Sequence, residues 1–238
     1  MYLCGLIMSN NCFQFKQFTI HQEKCGMKVG TDGTLLGAWA TGGRHILDIG
    51  TGTGLIALMM AQRFACSEVT GVEIDHDAAV QAYENVQQSP FADRIRIFES
   101  DILEFEGRFD CIVSNPPFFE DSLFCQNVQR SKARHTIDLT FESLFIKARH
   151  LLADNGIFSL IVPFNYKNRV LGEAALAGFF LTRDWGVKTT PRKTPKRFLL
   201  SFARHSTENV DSGIGVLEEA PGQRSEWYRR LTEDFYIR

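Results

Sequence analysis

The sequence predicts an α/β fold in which helices cover both faces of a doubly wound, mostly parallel sheet. Short apolar runs alternate along the chain with segments whose apolar residues recur at helical spacing. These runs are nearly continuous, which is typical of strands buried on both faces. The 238 residues are 44% hydrophobic and 23% charged, which is enough for one large domain and excludes a largely disordered chain.

The predicted strands are, in order, His45–Ile49, Glu68–Ile74, Arg94–Phe98, Phe109–Ser114 and Ile157–Val162. The predicted helices include Leu55–Phe64, Asp77–Gln88 and Phe141–Leu152. Two further runs, Phe179–Lys188 and Arg197–Ala203, leave no room for a crossover helix, so we expect them to pair antiparallel at the end of the sheet. The flanking segments predict a strand from Phe13 to Ile20, a short helix over Thr31–Ala40 and a terminal helix over Ser225–Tyr236.

Composition and cysteine spacing exclude several classes of protein. No apolar run approaches the roughly 18 residues of a membrane span, and the first eight residues lack the basic start and cleavage site of a secretory signal. The six cysteines are irregularly spaced with no C-x-x-C, so we expect free thiols in a reducing cytoplasm and no metal site. The net charge is only −2, but residues 46–125 carry a net charge of −10 and the rest a net charge of +8.

A glycine-rich loop follows the first predicted strand of the sheet. Its sequence is Asp48-Ile49-Gly50-Thr51-Gly52-Thr53-Gly54, and it opens a helix. Glycines let the backbone turn sharply and approach a ligand, while the helix N-terminus offers free N–H donors. The spacing G-x-G-x-G differs from the G-x-G-x-x-G of dinucleotide sites. Glu73 and Asp101 stand at the ends of the next two strands, and ligands bind outside the carboxyl ends of parallel strands.

This pattern resembles the class I S-adenosylmethionine-dependent methyltransferases, over about residues 44–204. The resemblance implies a seven-stranded Rossmann-like sheet and S-adenosylmethionine as cofactor. It also implies that the three glycines border the methionine part of the cofactor, that Glu73 holds the ribose hydroxyls and that Asp101 accepts from the adenine amino group. Asp48 is implied to orient the loop or to reach the cofactor amine through water.

The fourth strand runs into Asn115-Pro116-Pro117-Phe118. Two prolines fix φ near −65° and keep Asn115 extended, so its amide oxygen and the Pro116 carbonyl can point to one place. Two such acceptors can bind the hydrogens of an exocyclic amine and align its nitrogen with a methyl group, while Phe118 offers a flat surface. The turn resembles the catalytic N-P-P-(Y/F/W) motif of methyltransferases that act on adenine N6, guanine N2 or a glutamine amide.

The flanking segments resemble the bacterial tRNA(Val) adenine-N6 methyltransferase family, which modifies the adenosine 3′ of the anticodon. The motifs that carry this resemblance are Phe13-x-Phe15-Lys16-Gln17-Phe18, Met27-Lys28-Val29-Gly30-Thr31-Asp32-Gly33, Gln129-Arg130-x-x-Ala133-Arg134, Arg197-x-Leu199-Leu200-x-Phe202 and Leu231-Thr232-x-x-Phe235-Tyr236. The resemblance implies a tRNA substrate and a cofactor role for Lys28. It divides the chain into an N-terminal extension packing on the cofactor and substrate side (1–43), a methyltransferase domain (44–205) and a C-terminal segment of the same globule (206–238).

Basic residues flank the predicted catalytic turn in the sequence. The expected RNA-binding residues are Lys16, Arg130, Lys132, Arg134, Arg192, Lys193, Lys196 and Arg197. Such side chains can meet phosphates around one cleft while the acidic segment faces elsewhere. We expect a monomer that binds the tRNA anticodon stem-loop and no membrane.

Other functions remain open at this point. The N-P-P-F chemistry also suits an rRNA guanine-N2 or a protein-glutamine methyltransferase. An NAD-dependent oxidoreductase is disfavoured by the glycine spacing and by the Asn-Pro-Pro-Phe turn. An RNA-binding module without catalysis is disfavoured because the set of cofactor residues is complete.

Overall fold

The computed structural model describes residues 11–26, 28–117 and 139–237. Its strands are β1 Cys12–Gln14, β2 Thr19–His21, β3 His45–Ile49, β4 Glu68–Glu73, β5 Ile95–Glu99, β6 Phe109–Ser114, β7 Leu152–Pro163, β8 Phe180–Lys188, β9 Arg197–Ala203, β10 Asp211–Val216, β11 Glu218–Ala220 and β12 Gln223–Arg224. Its helices are α1 Thr31–Trp39, α2 Leu55–Arg63, α3 His76–Gln87, α4 Phe141–Leu151, α5 Lys167–Leu176 and α6 Glu226–Thr232, with a 3₁₀ turn over Phe164–Tyr166.

The large sheet has eight strands in the order β10-β8-β9-β7-β6-β3-β4-β5. Every neighbouring pair is parallel except those made by β9, which runs antiparallel to both β7 and β8. The expected doubly wound sheet and the antiparallel pairing of its last two predicted strands are therefore confirmed. The carboxyl ends of the parallel strands form one edge, which we name the carboxyl edge.

The sheet core has two sides because successive strand residues point to opposite faces. Ile46 and Ile161 pack into one apolar cluster with α1, α2 and α6, while Leu47 and Leu160 pack into a second cluster with α4 and α5. These residues are all fully buried. A strand buried on both faces needs consecutive apolar residues, so the near-continuous runs in the sequence follow from this layered arrangement.

An eighth strand, β10, joins the sheet at its edge and was missed by the sequence analysis. It pairs in parallel with β8, and its Gly213 lies opposite Trp185. A Cβ on Gly213 would come within 2.8 Å of the Trp185 ring, so the strand can approach this ring only with glycine at that position. Glycine-containing strands have weak sequence signals, which explains the omission.

The N-terminal segment also differs from its prediction. Instead of one strand from Phe13 to Ile20, it forms the hairpin β1–β2, in which the Phe15 N–H donates to the Phe18 carbonyl at 2.8 Å. The turn places both rings in the core, where they stack with centroids 4.8 Å apart. Burial of two aromatic side chains favours the hairpin over an extended strand. At the other end of the chain, α6 is shorter than the predicted helix.

Candidate active site at the carboxyl edge

The glycine loop leaves β3 at the carboxyl edge and ends at the start of α2. Gly50, Gly52 and Gly54 have φ angles of 69°, 54° and 79°, in the left-handed region that other residues rarely adopt. A Cβ on Gly50 or Gly52 would meet no atom within 4 Å. The loop thus leaves open space beside its backbone at the first turn of α2, which a bound ligand can occupy.

Glu73 closes the loop from the end of β4. One carboxylate oxygen accepts from the Gly52 N–H at 2.9 Å, and the other accepts from the N–H groups of Ile74 and Asp75 at 2.9 and 3.0 Å. The carboxylate therefore anchors the loop and remains partly exposed at the carboxyl edge. Oε1 thus accepts two hydrogen bonds and Oε2 one, so a lone pair of Oε2 remains to accept from a ribose hydroxyl.

Asp48 lies beneath the loop, fully buried in β3. Its Oδ2 accepts from the Thr51 hydroxyl at 2.6 Å, while its Oδ1 has no well-formed hydrogen bond to the described residues. Burial, followed by a smaller effect of Glu73, raises the pKa of Asp48 to about 7, although the Thr51 hydroxyl and the Ala57 amide oppose this shift. An unpartnered buried carboxylate oxygen beside an open loop fits a cofactor that brings an ammonium group.

Asp101 lies two residues after β5, next to Glu73. The Ser100 N–H donates to the Glu73 carbonyl at 2.9 Å, which ties the two strand ends together. The Asp101 side chain accepts from the Leu103 N–H at 2.9 Å and is partly exposed. It can therefore accept a further hydrogen bond from an amino group at this edge.

The Asn115-Pro116-Pro117 turn leaves β6 beside the glycine loop. Strands β3 and β6 are adjacent and parallel, with Ile49 opposite Ser114, and the Ser114 hydroxyl donates to the Ile49 carbonyl at 3.0 Å. Asn115 is partly buried, Pro116 is buried and Pro117 is exposed. Both strands end at this pair, so Gly50 and Asn115 are the first residues beyond the same level of the sheet. Phe118 lies outside the described residues.

The N-terminal segment reaches the same site through Asn85, which the sequence analysis missed. This buried residue of α3 binds both the N–H and the carbonyl of His21, at 2.9 and 2.8 Å, and donates to the Thr53 carbonyl in the glycine loop at 2.9 Å. Burial, followed by the charges of Glu73 and Asp75, raises the pKa of Cys25 to about 11, so Cys25 lies close to these two carboxylates. An isolated Asn inside a helix carries no sequence signal for such a bridge. Lys28 is exposed on this segment.

Only some of the predicted RNA-binding residues lie at the carboxyl edge. Arg192, Lys193 and Lys196 are exposed on the loop between β8 and β9 at the carboxyl edge. Arg197 begins β9 at the same edge, but its Nε donates to the Asp32 carboxylate at 2.7 Å, so it also holds the start of α1. Arg130, Lys132 and Arg134 lie outside the described residues.

Lys16 lies away from this edge. It occupies the β1–β2 turn, where its N–H donates to the Phe235 carbonyl at 2.8 Å and its ammonium contacts the Glu233 carbonyl. Phe18, two residues further along the chain, packs against Phe91, which follows the C-terminal end of α3. The structure therefore does not bring Lys16 together with the glycine loop.

The described residues show neither a candidate metal site nor a candidate membrane span. No cluster of three or more His, Cys, Asp and Glu side chains in this part of the chain is arranged to hold a metal ion. No helix among the described residues is long and apolar enough to cross a membrane.

Comparison with solved structures identifies the class of this fold. A predicted O-methyltransferase from Agrobacterium tumefaciens superposes with a TM-score of 0.67 at 19% identity, over 86% of this chain and 96% of that chain. The sheet order, with one antiparallel strand, and the glycine loop define a Rossmann-like methyltransferase fold. The residues described above fit S-adenosylmethionine as its cofactor.

Comparison with known sequences identifies the family. The model of the methyltransferase small domain matches residues 34–180, and this chain belongs to that family. A Bacteroides thetaiotaomicron relative is 46% identical over 97% of this chain and 99% of its own length, and a Phocaeicola vulgatus relative is 47% identical over the same shares. Both relatives are named tRNA1(Val) (adenine(37)-N6)-methyltransferase.

Replacement of Glu73 tests the cofactor site. We expect Glu73→Ala to weaken S-adenosylmethionine binding about 5- to 150-fold, because charge-assisted hydrogen bonds contribute roughly 1–3 kcal/mol. Isothermal titration calorimetry measures the dissociation constant. Glu106→Ala is the matched control, since this carboxylate contacts Lys147 and His150 near the end of α4. Equal affinities of the two variants would contradict the assignment of Glu73.

Replacement of Asp48 tests its raised pKa. Because the pKa in the folded state, about 7, exceeds the ordinary value of 3.8, ionisation of Asp48 lowers the free energy of unfolding as the pH rises between these values. Asn cannot ionise. The free energy of unfolding of Asp48→Asn, taken relative to that of the unsubstituted protein, should therefore rise by about 2–3 kcal/mol from pH 5 to pH 8. Urea unfolding of both proteins at the two pH values measures this gain. A difference independent of pH would show that Asp48 keeps an ordinary pKa.

Proposed function

We propose that this protein transfers a methyl group from S-adenosylmethionine to the N6 atom of adenosine 37 in tRNA(Val). The observation that carries the proposal is the pairing of Ile49 with Ser114, which sets the Asn115 turn beside the glycine loop. A methyl donor held by the loop and an amine held by the turn then meet at one edge. The names of the near-full-length relatives support this choice of substrate over the other planar amines that suit an N-P-P-F turn.

Asn115 and Pro116 orient the nucleophile. The Asn115 amide oxygen and the Pro116 carbonyl accept the two hydrogens of the adenine amino group, which turns the nitrogen lone pair toward the methyl carbon. S-adenosylmethionine, when bound, supplies an electrophilic methyl group whose C–S bonding pair stays on sulfur as the new N–C bond forms. One amine proton is then released to water, so the product is neutral N6-methyladenosine.

The cofactor residues act around this alignment. Glu73 and Asp101 accept hydrogen bonds from the ribose and adenine groups, while Asp48 balances the ammonium charge from below the loop. Lys28 is exposed between β2 and α1, and we propose that it also contacts the cofactor. Together these groups fix the cofactor relative to Asn115.

Basic side chains on the β8–β9 loop support an RNA substrate. Arg192, Lys193 and Lys196 are exposed there, and Arg197 adds a fourth cation whose charge is shared with Asp32. Phosphate contacts of this kind position RNA without reading its sequence. We propose that they hold the anticodon stem-loop, and that the enzyme works as a monomer in the cytoplasm; light scattering of the purified protein measures its oligomeric state.

Replacement of Asn115 tests the catalytic proposal. Asn115→Ala should lower the methylation rate of transcribed tRNA(Val) at least about 100-fold, because misplacement of a reacting group by 1 Å can cost this much. Cofactor affinity should stay the same. Transfer of a labelled methyl group, followed by nucleoside analysis, measures both the rate and the product.

Asn209→Ala is the control, since this residue is exposed in a surface turn, where its backbone N–H and carbonyl bind the Thr207 hydroxyl. Full activity of Asn115→Ala would refute the role of the turn. Methylated guanine, or methylation of a protein in place of tRNA, would assign a different substrate to the same chemistry.

Replacement of two lysines tests the RNA-binding edge. Lys193→Gln with Lys196→Gln should weaken tRNA binding and reduce the log–log salt slope by up to about 1.4, at about 0.7 for each phosphate contact in a single-stranded region. Filter binding between low and moderate salt measures the slope. We omit Arg197 because its replacement would also break the Asp32 ion pair.

The matched control replaces Arg44, which is exposed just before β3 at the opposite edge of the sheet, and Arg96, which is exposed on β5. Arg94 is unsuitable because its guanidinium binds the carbonyls of Ala61, Phe64 and Ser67. Equal losses of tRNA affinity in both double variants would mean that binding depends only on the net charge of the protein. An unchanged slope for the lysine variant would place the RNA on another face.

A further inference from the structure

Phe164 is an exposed aromatic side chain at the carboxyl edge. It follows directly after β7, and 59% of its surface is accessible to solvent. Single exposed apolar residues are ordinary on protein surfaces, so exposure alone assigns no role. The surroundings of this ring, however, differ from those of Phe180, which is exposed at the opposite end of β8.

The backbone of Phe164 is held in place. Its N–H donates to the Lys196 carbonyl at 3.0 Å, which joins the end of β7 to the start of β9. Its ring lies 6.1 Å from the Phe198 ring at an interplanar angle of 38°. Phe198 is in turn covered by the Lys167 ammonium, 3.9 Å from its ring centroid. Phe164 therefore presents a ring to solvent from a fixed position, with little conformational entropy to lose on binding.

The charges around Phe164 favour an anionic partner. Lys196 is its hydrogen-bonding neighbour, and Arg192 and Lys193 lie on the same exposed loop. The carboxylate of Asp184 is neutralised by Lys167 at 2.7 Å. A flat aromatic ring beside several cations is the combination that binds single-stranded nucleic acid, through base stacking and phosphate contacts.

Phe164 is also suitably placed relative to Asn115. Ser114 of β6 and Leu160 of β7 are paired and so lie at the same level of the sheet. Asn115 is one residue beyond this level, and Phe164 is four residues beyond it. At about 3.3 Å per residue, Phe164 stands roughly 10 Å further out along the strand direction. That separation suits a nucleotide next to the one whose amine reaches Asn115.

We propose that Phe164 stacks on an unpaired anticodon-loop base that flanks the target adenosine, while Lys196 and its loop contact the adjoining phosphates. This inference rests on the proposed function, since it requires tRNA as the substrate. It adds a base contact that is separate from the catalytic turn. The occupant is a nucleobase, because stacking requires a π-face that an aliphatic side chain does not offer.

Binding of a labelled tRNA(Val) anticodon stem-loop to Phe164 variants tests the proposal. Phe164→Ala should weaken binding about 5- to 150-fold, the range reported for loss of one base–aromatic stack. Phe164→Tyr should bind like the unsubstituted protein, whereas Phe164→Leu should bind like the alanine variant. Phe180→Ala is the matched control and should not change affinity. S-adenosylmethionine binding and the melting temperature should stay constant throughout.

A second readout locates the stacked base. With 2-aminopurine at a position flanking the target adenosine, binding to the unsubstituted protein should quench the fluorescence, and binding to Phe164→Ala at saturating concentration should not. Methylation of full-length tRNA(Val) by the unsubstituted protein is measured in parallel, which tests the proposed function independently.

The outcomes separate the two proposals. If the unsubstituted protein binds and methylates tRNA(Val) while Phe164→Ala binds equally well, the stacking inference alone is overturned. Full affinity of Phe164→Leu would overturn it too, because the side chain would then serve only as apolar contact. If the unsubstituted protein neither binds nor methylates the tRNA, the proposed function fails and the inference fails with it.

Discussion

The parallel pairing of β3 with β6 is the constraint on which the candidate site depends. These central strands place the glycine loop and the Asn115 turn next to each other, and the Ser114 hydroxyl ties the two strands together at their last pair. A slip of one residue would turn every side chain of the strand to the other face and so exchange the members of the two packed apolar clusters. The apolar clusters on both faces therefore fix the relative height of the loop and the turn.

Charge is divided across the molecule in a way that suits the proposed chemistry. Acidic residues at the ends of β3, β4 and β5 surround the loop that would hold a cationic cofactor, and the fully buried Asp48 lies at their centre. Cations gather on the loop between β8 and β9, further along the same edge. The Arg197–Asp32 ion pair joins this basic region to the first turn of α1. The acidic and the basic regions thus lie along one edge, where we propose that the cofactor and the RNA bind.

The terminal segments complete the domain. Phe15 of the N-terminal hairpin stacks with Tyr236 near the C-terminus, with ring centroids 5.8 Å apart, so both ends of the described chain pack into one apolar cluster. Asn85 then links the hairpin to the glycine loop through three hydrogen bonds. Buried polar bridges of this kind require every partner in place, so the N-terminal segment supports the cofactor loop directly.

The features that depend on local pattern could be predicted from the amino-acid sequence. The strands that bear the site begin and end within a few residues of their predicted limits, because buried strands need apolar runs and the left-handed loop needs glycine at positions 50, 52 and 54. The other features of the site and the sheet depend on tertiary contacts. The position of Lys16, the pairing of Arg197 with Asp32, the bridge through Asn85 and the edge strand β10 all depend on residues far apart in the chain. No local pattern encodes such contacts, since each arises only when the sheet has brought its partners together.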